Sequence, residues 1–237
     1  MNLPRTVLTA VADQPVDGRL CLEAGAGVGA MSAALLDAGA KRVYAMSNDR
    51  ADVLLTRRRM GSQDGLEPLE ADLQEIPLKT ESIELITAHG LCNLLNPESL
   101  QAVTDEFNRI ACPGCRLIVD DYDPLSKDAE IRQLFAIENA AAALGKGDAA
   151  VTFYPSRLLK RQFSAAGWTF ERELTLLEPV PWTGSHLSAH ANVVEELSPK
   201  MPSPLDEYLS TRAQQLVTTI GHEDAGRMYS LAFSLSE

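Results

Sequence analysis

The run LCLEAGAGVGAM, residues 20–31, constrains the fold more than any other stretch of the chain. A short apolar, strand-like run tips into glycines at positions 25, 27 and 29, and a helical segment follows. Glycine allows a tight turn and close approach of backbone to a ligand. The first N–H groups of the helix lack intrahelical partners and face the same turn. The spacing also satisfies G-x-G-x-x-A, with Ala30 in sixth place, which is a permitted form of a dinucleotide fingerprint. The glycines therefore mark a nucleotide-like site without selecting its ligand.

Strand and helix patterns alternate on both sides of this turn, which is the signature of a parallel sheet covered by helices. Strands are expected at 19–24, 42–47, 66–71, 82–88, 115–122, 168–177 and 227–236, with Pro68 placing the third at an edge. Helices are expected from Val28 to Ala38, from the end of the second strand to Met60, and from Pro97 under an Asn96 cap. Further helices are read at 128–144, broken by Gly145 and Gly147, at 155–167, and in a Pro-punctuated region over 184–221. The fold expected is α/β, Rossmann-like and doubly wound: a mostly parallel seven-stranded sheet with helical lid additions. One domain over 1–237 is the economical reading, with the additions at about 124–155 and 178–226.

A net charge of -12 argues against a nucleic-acid partner, because phosphate backbones are held by Lys and Arg clusters. The one basic cluster, Thr56 to Arg59, falls late in a helix, where cations suit the dipole. No run approaches about 18 apolar residues and the start does not resemble a signal peptide, so a cytoplasmic protein without a membrane partner is expected. The pair Cys112 and Cys115 in CPGC follows a helix and precedes a strand, the reverse of a redox motif. Zinc would need two more convergent ligands. The cysteines are read as incidental to a turn, with no metal expected.

Glu23 lies two residues before the first glycine. A carboxylate there repels a pyrophosphate and suits a cation. LEAGAGVGAMSAALLDAGAKRVYAMS thus resembles the first two motifs of the class I S-adenosylmethionine-dependent methyltransferases, whose cofactor carries an ammonium and a sulfonium. EADLQEIPL, SIELITAHGLCNLLNPESL, EFNRIACPGCRLIVDDYDP and PSRLLKRQFSAAGWTFE resemble later segments of that family in the same order, over roughly residues 19–176. The resemblance implies cofactor contacts from Glu23, Ala24, Gly25, Gly27 and Gly29. It sets Asp72 and Leu73 at the adenine, and Ala88 and His89 beside the methionine part. The family's acid at the end of the second strand binds both ribose hydroxyls, and Ser47 stands in its place. Asn48 or Asp49 could reach in, although Asp49 is equally placed to cap the next helix. SNDR also looks a little like an NADP site with Arg50 on the 2′-phosphate, which leaves an NADP-binding oxidoreductase as an alternative.

The resemblance implies methyl transfer to an O or N atom of a small-molecule acceptor, a displacement governed by positioning. The missing ribose acid keeps a second alternative open, a regulatory protein that binds cofactor without turnover. No NPPY-like, DPPY-like or Pro-Cys stretch follows the fourth strand, which disfavours base or glutamine methylation. Protein-arginine methylation is disfavoured because only Glu98 remains of that family's acidic loop. His89 is the candidate base or acceptor-orienting group, with cofactor packing as its alternative role. The acids of DDYDP are expected as solvated loop charge, with orienting an acceptor or helping to hold a divalent metal as the alternative role of one of them. Tyr154, Trp182, His186 and His190 are expected over the site, either lining an acceptor pocket or packing the lid.

Overall fold

In the computed structural model, which describes residues 3–61 and 63–236, all seven expected strands enter one sheet. Helix α1 (Arg5–Val11) precedes β1 (Leu20–Ala24), α2 (Ala30–Asp37), β2 (Arg42–Ser47), α3 (Arg50–Met60) and β3 (Leu66–Glu70). β4 (Ile83–His89), α4 (Pro97–Ile110) and β5 (Ala111–Tyr122) follow. The remaining elements are α5 (Ile131–Lys146), α6 (Ser156–Ala165), β6 (Trp168–Leu177), β7 (Pro181–Trp182), α7 (Gly184–Leu197), α8 (Leu205–Ile220), β8 (Glu223–Asp224) and β9 (Met228–Leu235).

The sheet order is β3-β2-β1-β4-β5-β9-β6, parallel except for β9, which runs antiparallel to both neighbours. From β1 the chain winds outward to β2 and β3, then returns to place β4 on the other side of β1. This reversal is a topological switch point, where a crevice opens beyond the carboxyl ends of the strands.

Alternate side chains of the strands feed two cores. Leu22, Ile86, Leu117 and Phe233 pack with Phe107 of α4 and Phe163 of α6. Cys21, Val43, Leu85 and Ile118 pack on the other face with Val7 of α1 and Leu35 of α2. Each such buried aromatic or aliphatic side chain contributes about 1.5–3 kcal/mol by leaving water. A third core joins α5, α7 and α8 through Leu134, Leu187, Val194 and Leu216. Among the described residues no helix is long and apolar enough to cross a membrane.

Three details differ from expectation. α1 lies where no helix was read, because so short a segment carries little periodicity; Arg172 holds it through Ala10 O and Asp13. α5 continues through Gly145, which sits close against Leu197 and Lys200, and ends at Gly147. The CPGC stretch is a bulge within β5: β4 advances from Ile83 to Leu85 while β5 advances from Ala111 to Arg116. Both of its cysteines are free, as are Cys21 and Cys92, and burial pushes the Cys115 thiol well above its ordinary range.

Candidate functional site

The glycine turn is braced from three sides. The N–H groups of Gly25 and Ala26 donate to Met46 O at 3.0 and 2.8 Å, and Thr56 Oγ1 of α3 donates to Gly27 O at 3.2 Å. A side chain at Gly25 would bring its Cβ within 3.0 Å of Leu91 Cδ1. Gly27 has φ +47 and meets only open space, so a ligand can approach its backbone. Gly29 caps α2 without a side chain, and Glu23 supplies what is missing. Glu23 Oε2 accepts from Ser32 N at 2.8 Å and from Ser32 Oγ.

This corrects the expectation for Glu23. Its carboxylate is 3% exposed and is turned onto the first turn of α2, where an anion suits the dipole. Burial pushes its pKa up to about 7 against the pull of the Ser32 hydrogen bonds and the charge of His89.

A cavity of about 480 Å3 opens at the switch point. Gly25 and Gly27 line it from the turn, Ser47, Asn48 and Asp52 from the end of β2 and the start of α3, and Asp72, Leu73 and Gln74 from the segment after β3. His89 ends β4, Gly90 and Leu91 follow it, and Leu94, Leu95 and Val103 complete an apolar side. Two somewhat larger grooves, of about 570 and 560 Å3, are shallow surface features over α7 and α8 and beside β8. The first lies on the helical additions and the second beyond the ends of β5 and β6, away from the switch point, and the switch-point cavity is the most enclosed of the three.

Of the expected residues, Gly25, Gly27, Ser47, Asn48, Asp72, Leu73 and His89 converge on this cavity. Glu23, Ala24, Gly29 and Ala88 lie behind its wall. Ala24 and Ala88 are fully buried because the pleat turns them into the apolar core. Asp49 is a cap: its Oδ1 accepts from Ala51 N at 2.7 Å. Asp52 and Gln74 were not anticipated. Asp52 stands in the first turn of a helix, where a carboxylate has an ordinary structural reason to occur, and that masks any other role.

His89 has a partner that sequence spacing did not suggest. Strand register sets it directly opposite Asp120, and Nδ1 lies 2.7 Å from Asp120 Oδ2. Because a carboxylate accepts, Nδ1–H donates, and the neutral ring keeps its lone pair on Nε2. Burial lowers the imidazole pKa, but the hydrogen bond and charge of Asp120, with Glu23 and Asp121, overcome it and raise the pKa above 6.5. Asp120 and Asp121 are 1% and 0% exposed, contrary to the expected solvated loop. Asp121 accepts from Asn93 N at 2.9 Å, and burial pushes its pKa up to about 7. Asp123 alone leaves the sheet, paired with Arg227 at 2.7 Å.

The lid residues divide toward packing. Trp182 lies 5.4 Å from the Tyr122 ring and 5.3 Å from Phe135, and its Nε1 donates to Ala225 O. His190 is bonded to Glu138 at 2.8 Å, Tyr154 Oη donates to Leu95 O, and His186 completes the cap of α7.

Residues 22–119 match the family model described as a methyltransferase domain. A demethylmenaquinone methyltransferase from Clavibacter sepedonicus is 32% identical over 117 residues, 49% of this chain and 46% of that protein. The chain thus spans less than half of that relative's length. A geranyl diphosphate C-methyltransferase from Streptomyces coelicolor, solved with Mg2+, geranyl diphosphate and S-adenosyl-L-homocysteine, shares the fold with a TM-score of 0.62. It is 12% identical, with 96% of this chain and 78% of that one covered. The cyclase SpnF shares it too, with a TM-score of 0.66 at 14% identity over 98% of this chain and 80% of that one. The segment that matches the methyltransferase-domain model contains the glycine turn and every residue that lines the cavity beside it.

Proposed function

We propose that this chain is an S-adenosylmethionine-dependent methyltransferase acting on an O or N atom of a small-molecule acceptor. The observation that carries the reading is the charge of the cavity. Asp52 and Asp72 line it, and among the described residues no Lys or Arg does. The two carboxylates suit a ligand bearing a sulfonium and an ammonium, and the wall offers no guanidinium or ammonium to a pyrophosphate or a 2′-phosphate. Arg50, the residue an NADP site would need, is exposed and lies outside the cavity lining.

When bound, the cofactor supplies an electrophilic methyl group. The turn at Gly25 and Gly27 admits the methionine end to the backbone, and Asp72 accepts from the adenine amino group beside Leu73. Leu91, Leu94, Leu95 and Val103 present apolar surface that excludes water from that side. His89, held by Asp120, takes the proton of the acceptor on Nε2. Acceptor choice falls to residues 124–155 and 178–226, where Phe135, Phe153 and Trp182 form one aromatic cluster with Tyr122 at the end of β5.

Calorimetric titration tests the cofactor, and methyl transfer to a panel of hydroxyl, amine and carbon acceptors tests the acceptor class. Binding of S-adenosylhomocysteine with no response to NADPH is expected. A response to NADPH alone would overturn the reading in favour of the oxidoreductase, and transfer to carbon acceptors only would overturn the acceptor class.

A further inference from the structure

Ser47 ends β2 at the cavity, yet its hydroxyl is already engaged. Its Oγ accepts from Asp49 N at 3.1 Å and donates its one proton toward Asp52 Oδ2 at 3.3 Å. Asp49 is spent on capping α3. Asp72 Oδ1 is likewise engaged, accepting from Gln74 N at 2.9 Å. Asp52 is different. It lines the cavity, is half-buried in the first turn of α3, and one of its oxygens is steadied by Ser47. Among the described residues no Lys, Arg or His lies within ion-pair distance of it.

We infer that Asp52, displaced from the strand end onto the first turn of α3 and oriented by Ser47, is the carboxylate that accepts both hydroxyls of the cofactor's ribose. The chemistry matches. A vicinal diol offers two donors side by side, and a carboxylate presents two acceptor oxygens at a similar spacing, with charge-assisted strength. A serine whose single proton is committed cannot replace it. Ser47 is a positioning residue: it fixes the Asp52 rotamer before a ligand arrives, which lowers the ordering cost of binding. The site has therefore moved its acid from strand to helix, and the absence of an acid at position 47 does not signal a relaxed, non-catalytic site.

The inference rests on the methyltransferase reading, and the test separates the two. The full-length protein is titrated calorimetrically with S-adenosylhomocysteine and with its 2′-deoxyribosyl analogue, as wild type, Asp52→Asn, Asp52→Ser and Ser47→Ala. Circular dichroism confirms folding of each. Wild type is expected to prefer the ribosyl ligand by about tenfold or more, the scale of one charge-assisted hydrogen bond. Both Asp52 variants should lose that preference, by weakened binding of the ribosyl ligand with little change for the analogue, and Ser47→Ala should lie between. Equal weakening of both ligands, or an unchanged preference, would overturn the inference. Should the Asp52 variants not fold, a wild type that binds both ligands equally overturns it. Failure of wild type to bind S-adenosylhomocysteine at all counts instead against the methyltransferase reading.

Discussion

Replacing Glu23 by glutamine should make the protein more stable at high pH, although it removes a charge from the first turn of a helix. Glu23 is 3% exposed, so solvent does not screen it. Burial raises its pKa from 4.5 to about 7 in the folded chain. In the unfolded chain the group ionises near its ordinary value. Between these two limits the native state holds a proton that the unfolded state has released, so stability falls as pH rises. The stabilisation is fully present below pH 4.5 and is gone above about pH 7. A pKa difference of that size is worth about 3 kcal/mol in full, and about 2–3 kcal/mol of it falls between pH 5 and 8. Glutamine keeps an oxygen to accept from Ser32 N and does not titrate. Urea denaturation of both proteins at pH 5, 6, 7 and 8 should therefore show their stability difference shifting toward the variant by about 2–3 kcal/mol over that range. Asp121, raised to about 7 as well, is present in both proteins and cancels in the difference. A difference that stays flat with pH would refute the assignment of a raised pKa to Glu23.

Three further outcomes follow from the same geometry. The methyl-transfer rate should climb with pH through a pKa above 6.5, because His89 must be neutral to accept a proton. Asp120→Asn, which removes the stabilising charge, should lower the rate by about a hundredfold or more and move the profile to lower pH; pH–rate curves for both proteins decide it. Gly27→Ala should cost about 1–2 kcal/mol at its left-handed backbone and weaken S-adenosylhomocysteine binding, as read by thermal denaturation and calorimetry. Asp49→Ala should lose about 1 kcal/mol of stability as a cap while cofactor affinity stays essentially unchanged, in contrast to Asp52→Asn.

Local pattern carried much of this protein. The seven strands are readable because buried parallel strands are apolar runs between breakers, and Asn96 with Pro97 announces α4 in a few residues. The turn at Gly25 and Gly27 is legible for a similar reason: the backbone conformation it needs admits few residue types. Asp72, Leu73 and His89 are placed by the family resemblance of their segments, and they reach the cavity because strand ends meet at the switch point. Where each of those side chains turns is a different kind of fact. Glu23 reads as a ligand group until α2 folds over it and takes its carboxylate as a cap. Asp120 looks like loop charge until the register of β4 and β5 brings it against His89 and buries it. Asp49 and Asp52 are alike in sequence, and only the path of α3 gives one to the helix and the other to the cavity. Periodicity is a property of neighbours along the chain, so sequence alone determined the sheet and the mouth of its crevice. Hydrogen-bond partners and burial are properties of neighbours across it, so the working roles of the carboxylates were decided by the tertiary structure.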